Sequence, residues 1–202
     1  MSGPRPRIVS NDERMIAGLC AGDIDARARF FDAYAIDVKR ILLRVLGSDA
    51  ELADLVQEVF LRAMTGIERL DDPGMLRPWL TGIAVFTARE CIRRRQRRRW
   101  LVFLPQESLP EPDPGPCDAD SDASEALAAT YRILERMAVD ERIAFTLRFI
   151  DGMDLAQVAE ACDTSVSTIK RRLAAAEKRF LAHARNHPSL VEWIQRGRWS
   201  DT

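Results

Sequence analysis

The feature that most constrains the fold is a stretch of the chain that cannot pack a core of its own. Residues 104–124, LPQESLPEPDPGPCDADSDAS, contain five prolines and have large apolar side chains only at Leu104 and Leu109. Residues 104–125 carry seven acidic side chains and no basic one. Such a composition cannot bury enough apolar surface to offset the loss of chain entropy. The stretch therefore predicts a flexible, acidic linker that divides the 202-residue chain into two domains.

The two halves that flank this linker both have helical periodicity. Their apolar residues recur at spacings of three and four, and the alternating runs typical of strands are absent. We therefore expect an all-α protein with two small helical domains, at 12–103 and 125–185, joined by the linker at 104–124. The tail at 186–202 is apolar enough either to pack on the second domain or to contact a regulator, through Leu190, Val191, Trp193, Ile194 and Trp199.

Composition and targeting signals exclude several classes of protein. No stretch approaches the roughly 20 apolar residues of a membrane span, and the start, MSGPRPRIVSND, lacks the apolar centre of a secretory signal. We therefore expect a cytoplasmic protein. No CxxC pair or histidine cluster accompanies the four cysteines, so we expect neither a disulfide framework, nor a metal site, nor a cofactor. We expect these cysteines to be reduced and to behave as small hydrophobes: Cys20, Cys91, Cys117 and Cys162.

The most specific local pattern is a pair of helices in the second half. The sequence DLAQVAEACDTSVSTIKRRL gives an amphipathic helix, a tight turn at Asp163 and Thr164, and a cap at Ser165. On the second helix an inner apolar stripe is expected to comprise Val166, Ile169, Leu173, Ala176 and Phe180. The pattern predicts a helix-turn-helix whose second helix enters a major groove, where Arg171 could make a bidentate contact to guanine. The alternative is a plain helical hairpin with a solvated basic face.

A predicted helix in the first half has an unusual exposed side. Within LADLVQEVFLRAM, the buried stripe is Leu52, Leu55, Val56, Val59 and Ala63. On the opposite side Asp54, Gln57, Glu58 and Leu61 cluster in a narrow arc, which we call the acidic face. An apolar anchor among acidic groups is typical of an interface with a basic protein partner. The alternative is an ordinary solvated face with one exposed leucine.

The next helix ends in an arginine run, with six arginines within the seven residues 93–99. Its buried stripe continues directly into Arg94 and Arg98, so the helix must leave its core at about residue 92. This stripe consists of Leu80, Ile83, Thr87 and Cys91. A projecting end that carries charge on all sides is suited to contacting phosphates, with salt-sensitive affinity and little base specificity.

Taken in order, these motifs resemble a known family. DLVQEVFLRAM is followed by RPWLTGIA, the arginine run, a linker and RIAFTLRFIDGMDLAQVAEACDTSVSTIKRRL. This order resembles the extracytoplasmic-function class of bacterial RNA polymerase sigma factors over about residues 12–182. The resemblance implies a protein that binds core RNA polymerase and directs promoter recognition, promoter melting and transcription initiation. It implies no catalysis by the chain itself, because the polymerase supplies the chemistry.

The resemblance also assigns partners to each domain. It implies that the first domain binds the polymerase clamp, through the acidic face, and the −10 promoter element. The second domain would bind the polymerase flap and the −35 element, and an anti-sigma factor is an expected regulator. The candidate −35 residues are Ser167, Thr168, Lys170, Arg171, Ala174 and Lys178.

The −10 reader of the family is a loop that corresponds here to residues 68–77, ERLDDPGMLR. Beyond it, Trp79, Phe86 and Arg93 are spaced by sevens on one side of the helix, which would suit base stacking beside phosphate contact. The alternative is that both aromatic rings belong to the core. The candidate −10 residues are Arg77, Trp79, Phe86, Arg89, Arg93, Arg94 and Arg97.

The chain departs from the family pattern at two places. Val85 and Phe86 stand where relatives commonly have an Arg-Asn pair, which puts the −10 preference in doubt. Ala174 and Ala175 replace larger or basic residues, so fewer side chains are left to read the −35 element.

Two other functions compete with the sigma-factor interpretation. A helix-turn-helix regulator that acts without polymerase would not need the acidic face or two domains, and such regulators usually dimerise on paired half-sites. An enzyme could use His183 and His187 as a metal-binding pair at spacing i, i+4. No carboxylate or cysteine beside them completes such a site, so we expect no enzyme.

Overall fold

The computed structural model describes residues 11–47, 50–101, 121–185, 187 and 190–191. Every regular element within these ranges is helical, which confirms the predicted all-α class. The helices are α1 (Asn11–Cys20), α2 (Ile24–Leu46), α3 (Leu52–Gly66), α4 (Leu76–Leu101), α5 (Ser121–Glu135), α6 (Val139–Phe145), α7 (Leu155–Ala161) and α8 (Val166–Ala184). None of the helices in the described ranges has the length and apolar character needed to cross a membrane.

The first domain is built by α1 to α4. Asp23 caps α2 by accepting from the backbone N–H of Asp25, and Gly47 ends the helix with a φ of 81°, a conformation that favours glycine. Phe30 of α2 lies in the core with its ring centroid 5.3 Å from that of Phe60 on α3. Two short 3-10 turns, Ile67–Arg69 and Pro73–Met75, lead into α4. The first domain therefore presents α3 and α4 side by side, with the loop at 68–77 leading into α4.

The second domain is built by α5 to α8. Phe145 of α6 stacks on Phe180 of α8 with ring centroids 4.9 Å apart, and Leu134 of α5 is buried beside them. Leu190 is 1% exposed and belongs to the same cluster, so at this residue the tail packs on the second domain. Trp193, Ile194 and Trp199 lie outside the described residues.

The helix-turn-helix has the predicted boundaries. Asp154 and Gln157 form a capping box at the start of α7, and Asp163 adopts a φ of 50° in the turn. Ser165 caps α8 by accepting from the backbone N–H of Thr168 at 3.3 Å. The sequence predicted the turn and this cap, because short polar residues tolerate positive φ and satisfy free N–H groups.

Several details differ from the sequence-based expectations. Helix α5 begins at Ser121, inside the predicted linker, whose residues 104–120 lie outside the described part of the chain. Helix α6 ends at Phe145 and continues as a π-helical turn, Thr146–Ile150. Val166 is 39% exposed rather than part of the inner stripe, since the first turn of α8 precedes its contact with the core. Cys20 is exposed at the end of α1, whereas Cys91 and Cys162 are buried as expected.

The two domains pack against each other. Helix α4 of the first domain contacts α6 and α7 of the second, and the π-helical turn contacts α2. One apolar cluster runs across the boundary, from Phe60 and Leu80 to Leu147 and Val158. The chain is therefore compact, with α4 at its centre.

Candidate polymerase and DNA interfaces

The acidic face of α3 is exposed as the sequence predicted. Asp54 and Gln57 are exposed, Glu58 is half-buried, and Leu61 is 63% exposed. The opposite side of the helix lies in the core through Leu55, Val56, Val59, Phe60 and Ala63. An amphipathic helix with a fully buried back can present these four side chains on a rigid surface.

Arg62 joins the acidic face to α4. Its Nη2 atom lies 2.5 Å from Glu58 on its own helix and 2.6 Å from Glu90 on α4. Its guanidinium also lies over the Phe86 ring, 5.1 Å from the centroid. Burial acts to lower the pKa of Arg62, but hydrogen bonds and charge from Glu90 and Glu58 outweigh it, so the pKa is raised. Arg62 therefore remains charged and fixes Glu58 and Phe86 relative to each other.

An apolar groove lies beside the acidic face. It has a volume of about 500 Å³ and is lined by α2 and the start of α3. Ile36 is 76% exposed there and Phe31 is 40% exposed. This surface was not predicted from the sequence.

The loop before α4 is anchored in its second half. Asp72 accepts from the backbone N–H of Gly74 at 2.9 Å, and Leu76 is fully buried. Arg77 is exposed, with Nη2 3.2 Å from Asp37 and its guanidinium 5.9 Å from the Tyr34 centroid. Trp79 is half-buried. The loop therefore presents Arg77 from an anchored backbone.

Phe86 is 48% exposed, so it does not belong to the core. At the neighbouring position Val85 is fully buried. The side of α4 that carries Phe86 faces solvent beside α3. Of the two predicted aromatic side chains, Phe86 is therefore the one more available for stacking.

Beyond Arg77, the predicted arginines of α4 divide into three groups. Arg89 and Arg93 point toward the second domain, where their nitrogen atoms lie 3.0 and 3.8 Å from the carboxylate of Asp140. Arg94 lies 3.5 Å from Glu51 at the start of α3, a carboxylate whose pKa is lowered by a hydrogen bond from Arg95. Arg97 is exposed.

Among the side chains described on α4, which extend to Arg98, the last buried ones are Cys91 and Ile92, in agreement with the predicted end of the core at about residue 92. Arg97 and Arg98 lie beyond them and are exposed. The backbone remains helical to Leu101. The arginine run therefore extends α4 past the first domain's core.

The outer face of α8 carries the predicted −35 residues. Lys170, Arg171, Ala174 and Lys178 are all exposed, and Ala175 is half-buried. Near the helix start Ser165 Oγ lies 2.9 Å from Ser167 Oγ and 3.0 Å from Thr168 Oγ1. These hydroxyl groups surround the free N–H groups of the first turn, where phosphate contacts are commonly made. The structure thus brings the six residues onto one surface.

Within the described residues no group of three or more histidine, cysteine, aspartate and glutamate side chains is placed to hold a metal ion. His183 is half-buried near the end of α8, and His187 is half-buried beyond it.

Two family models match the chain, one in each domain. Residues 30–98 match sigma-70 region 2, and residues 127–180 match sigma-70 region 4. The two regions occur in the order that the motifs predicted.

Curated relatives match most of the chain. The ECF RNA polymerase sigma-E factor of Haemophilus influenzae is 26% identical over 169 residues, which cover 80% of this chain and 89% of the relative. The ECF RNA polymerase sigma factor SigC of Mycobacterium tuberculosis is 29% identical over 181 residues, 87% of this chain and 94% of the relative. The chain belongs to the extracytoplasmic-function class of RNA polymerase sigma factors.

Solved structures share the fold of this sigma factor. CnrH, in complex with the cytosolic domain of CnrY, is 20% identical with a TM-score of 0.58, covering 86% of this chain and 96% of CnrH. RpoE from Bartonella quintana, in complex with the anti-sigma factor NepR, is 19% identical with a TM-score of 0.55. The match covers 85% of this chain and 98% of RpoE.

Membership of this class establishes the general role of the chain. It is a sigma factor that binds core RNA polymerase and promoter DNA and directs transcription initiation. The rival interpretation as a regulator independent of polymerase is not favoured, because both sigma-70 regions are present in order. Members of the class are initiation factors rather than enzymes.

Proposed function

We propose that this sigma factor binds the polymerase clamp through the acidic face of α3. The observation that carries the proposal is Leu61, which is 63% exposed on a helix whose back is fully packed. Asp54 and Glu58 flank it with negative charge, so the surface suits a basic partner with an apolar contact at its centre. Arg62 holds Glu58 in place at 2.5 Å, which reduces the entropy lost on binding.

The proposed −35 reader is the outer face of α8. Arg171 lies at the centre of this face and can donate two hydrogen bonds to the O6 and N7 acceptors of guanine. Lys170 and Lys178 lie on the same exposed face and are suited to phosphates. The exposed Ala174 lets the helix backbone approach the floor of the groove.

The proposed −10 surface combines the loop before α4 with the exposed side of α4. Arg77 and Phe86 are exposed and Trp79 is half-buried, so they offer a cation and two aromatic rings to unstacked bases. Phe86 stands where relatives commonly carry asparagine, so its contact with a base would be stacking rather than hydrogen bonding. Arg94 and Arg97 would add phosphate contacts.

The same proposal covers the domain limits and the regulator. We assign residues 12–103 to the clamp and −10 domain, 104–120 to the linker, 121–185 to the flap and −35 domain, because α5 begins at Ser121, and 186–202 to a C-terminal tail. A structural relative with this fold is bound by an anti-sigma factor, which supports an anti-sigma partner here. The protein would act in the cytoplasm, where polymerase and promoters are found, and would catalyse no reaction itself.

Purified protein combined with core RNA polymerase and a promoter library tests the proposed function. We expect a complex on gel filtration and initiation at a specific subset of promoters. The matched control is core polymerase alone, which should initiate without specificity. Absence of both the complex and specific initiation would overturn the proposal.

A further inference from the structure

One side of α4 is a docking surface for the second domain. A Cβ atom at Gly82 would lie 3.9 Å from the carbonyl oxygen of Ala161 in α7, so the two backbones approach closely. Successive residues of a helix are about 100° apart, so residues three and seven positions along return to nearly the same side. Val85 and Arg89 therefore lie within about 60° of Gly82 around the helix. Val85 is fully buried, and the Arg89 side chain is only 17% exposed. This side of α4 is therefore covered by the second domain.

A single carboxylate lies at the centre of this contact. Asp140, in the first turn of α6, is 3.0 Å from Arg89 Nε, 3.8 Å from Arg93 Nη2 and 3.4 Å from Arg172 Nη2. Arg89 and Arg93 belong to α4 of the first domain, whereas Arg172 belongs to the DNA-reading helix α8. Three cations from the DNA-binding helices of both domains thus converge on one anion.

A second group of polar contacts joins the domains at the end of α2. The buried Arg142 of α6 donates to the carbonyl oxygens of Val45 and Leu46 at 2.8 and 3.1 Å. Tyr131 of α5 donates to the carbonyl oxygen of Leu43 at 3.3 Å. The carbonyl groups of Val45 and Leu46, in the last turn of α2, are therefore satisfied by the other domain, whereas the Leu43 carbonyl also accepts from the backbone N–H of Gly47 at 2.8 Å.

Asp151 adds a third polar contact. It follows the π-helical turn of the second domain and forms an ion pair with Arg44, with Arg40 Nε 3.9 Å away. Both arginines lie on α2 of the first domain. The contact between the domains therefore spans α2 as well as α4.

The closed arrangement cannot occupy a promoter. The −10 and −35 elements are separated by about 25 base pairs, or roughly 85 Å of duplex at 3.4 Å per base pair. In the closed molecule Arg93 and Arg172 contact the same carboxylate, at 3.8 and 3.4 Å. Helices α4 and α8 must therefore separate before each reaches its own element. Residues 102–120, which join the domains, can span up to about 65 Å when extended.

Two features of the contact between the domains favour its opening. Asp140 and Arg172 are 31% and 23% exposed, so salt and phosphate groups can compete for them. The buried Nη1 atom of Arg172 makes no hydrogen bond within the described part of the chain. Such an atom regains hydrogen bonds to water on separation, which offsets part of the lost contact.

We propose that the free sigma factor is held in a closed, inactive state in which the second domain docks on α4 and Asp140 ties Arg89 and Arg93 of α4 to Arg172 of α8. DNA phosphates replace Asp140 as the partner of Arg93 and Arg172 when the molecule opens. The inhibitory consequence rests on the proposed function, but the closed state itself does not. Polymerase and promoter DNA therefore bind the open form and shift the population toward it.

Small-angle X-ray scattering of the full chain tests the closed state without polymerase. At about 0.05 M salt we expect a radius of gyration close to the roughly 17 Å of a compact 202-residue chain. At about 0.5 M salt, where the screening length is far shorter, we expect a clearly larger value. Asp140→Asn leaves three arginines facing each other without an anion and should expand the chain at low salt. Glu160→Gln, which removes an exposed carboxylate of α7, should leave the wild-type value unchanged.

Polymerase affinity provides the second measurement. The apparent affinity of a partially closed protein is reduced by the fraction that is open, so Asp140→Asn should bind core polymerase about tenfold more tightly. Should Asp140→Asn fail to fold by circular dichroism, Arg89→Met tests the closed state from the other domain by scattering. An extended wild-type chain at low salt would overturn closure while leaving the sigma-factor assignment intact. An expanded Asp140→Asn that binds polymerase no more tightly would overturn the inhibitory role.

Discussion

The guanidinium of Arg142 in the second domain donates hydrogen bonds to the carbonyl oxygens of Val45 and Leu46 in the first, at 2.8 and 3.1 Å. Arg142 is 6% exposed, and its two acceptors precede it in the chain by 97 and 96 residues. A buried arginine that satisfies free helix-end carbonyl groups combines the role of a helix cap with that of a contact between domains.

Replacement of Arg142 should weaken both the cap of α2 and the contact between the domains. Arg142→Met keeps much of the apolar stem but removes two charge-assisted hydrogen bonds, so we expect the free energy of unfolding to fall by about 2 kcal/mol. Urea denaturation followed by circular dichroism measures this change. Arg136→Met, at an exposed position after α5, is the matched control and should have little effect. Equal unfolding midpoints for the two variants would contradict the prediction.

Charge reversal on the acidic face should disrupt polymerase binding. We expect Asp54→Lys combined with Glu58→Lys to reduce affinity for core polymerase by at least about tenfold, because attraction to a basic surface becomes repulsion. Circular dichroism should show unchanged helicity, since both side chains lie on the solvent side of α3. Glu160→Lys on α7 is a control with an exposed carboxylate outside this face. Unchanged affinity of the double variant would rule out the acidic face as the clamp site.

Two cations on α8 should differ in what they contribute to DNA binding. Arg171→Ala should cost about 1–3 kcal/mol on the preferred −35 duplex and relax the base preference at one position. Lys178→Ala should weaken binding about equally on all sequences, since a phosphate contact carries no base information. Fluorescence anisotropy with a set of single-base duplex variants distinguishes the two effects. A shift in base preference on Lys178→Ala, with none on Arg171→Ala, would reverse the assignment.

The exposed arginines near the end of α4 should act mainly through salt-dependent affinity. Arg97→Ala combined with Arg98→Ala should reduce the slope of log affinity against log salt by about one to two, because each phosphate contact contributes about 0.9. Gln96→Ala, an exposed neutral neighbour, should not change the slope. Binding to promoter DNA in complex with polymerase, measured across a salt series, provides the slope. A changed sequence preference would instead indicate direct base contact.

The buried thiol of Cys162 should make stability depend on alkaline pH. Burial raises the pKa of Cys162 above its ordinary value of 9.0, against the opposing charges of Arg89 and Arg172. The folded protein therefore binds this proton more tightly than the unfolded chain does. The resulting stability is complete below about pH 9 and is lost as the pH rises through the raised pKa.

Cys162→Ala should remove this pH-dependent contribution to the free energy of unfolding. Urea midpoints of the wild type and the variant, compared at about pH 7.5 and about pH 10, isolate it because other titrating groups are common to both proteins. We expect the wild type to lose more stability than Cys162→Ala between the two values. Equal losses would show that ionisation of this thiol is not linked to unfolding.

Local features of this fold could be predicted from the sequence. The periodicity of apolar residues predicted the helices, and Asp163, Thr164 and Ser165 predicted the turn and cap of the helix-turn-helix because their chemistry acts within a few residues. The exposure of Leu61 followed from its position opposite the buried stripe of α3. The end of burial after Ile92 followed in the same way.

The contact between the domains could not be predicted, because its residues look ordinary in the sequence. In the sequence Arg142 resembles any solvent-exposed arginine, and its acceptors are backbone atoms, which carry no sequence signal. Arg89 was assigned to the −10 surface, yet in the closed molecule its partner is Asp140 on another domain. Whether it also contacts DNA in the open form remains a prediction. The π-helical turn at Thr146–Ile150 likewise depends on packing rather than on local propensity.

Helix α4 runs to Leu101, nine residues beyond Ile92, and the side chains described past Ile92, at residues 93–98, are not buried. At 1.5 Å per residue this extension is about 13 Å long, which equals roughly four base-pair steps of B-DNA. A rigid rod of that length can contact phosphates only on a short arc of one strand, however many arginines it carries. Its length therefore sets how far along the promoter the first domain reaches, and a one-turn deletion should shift that limit by between one and two base pairs.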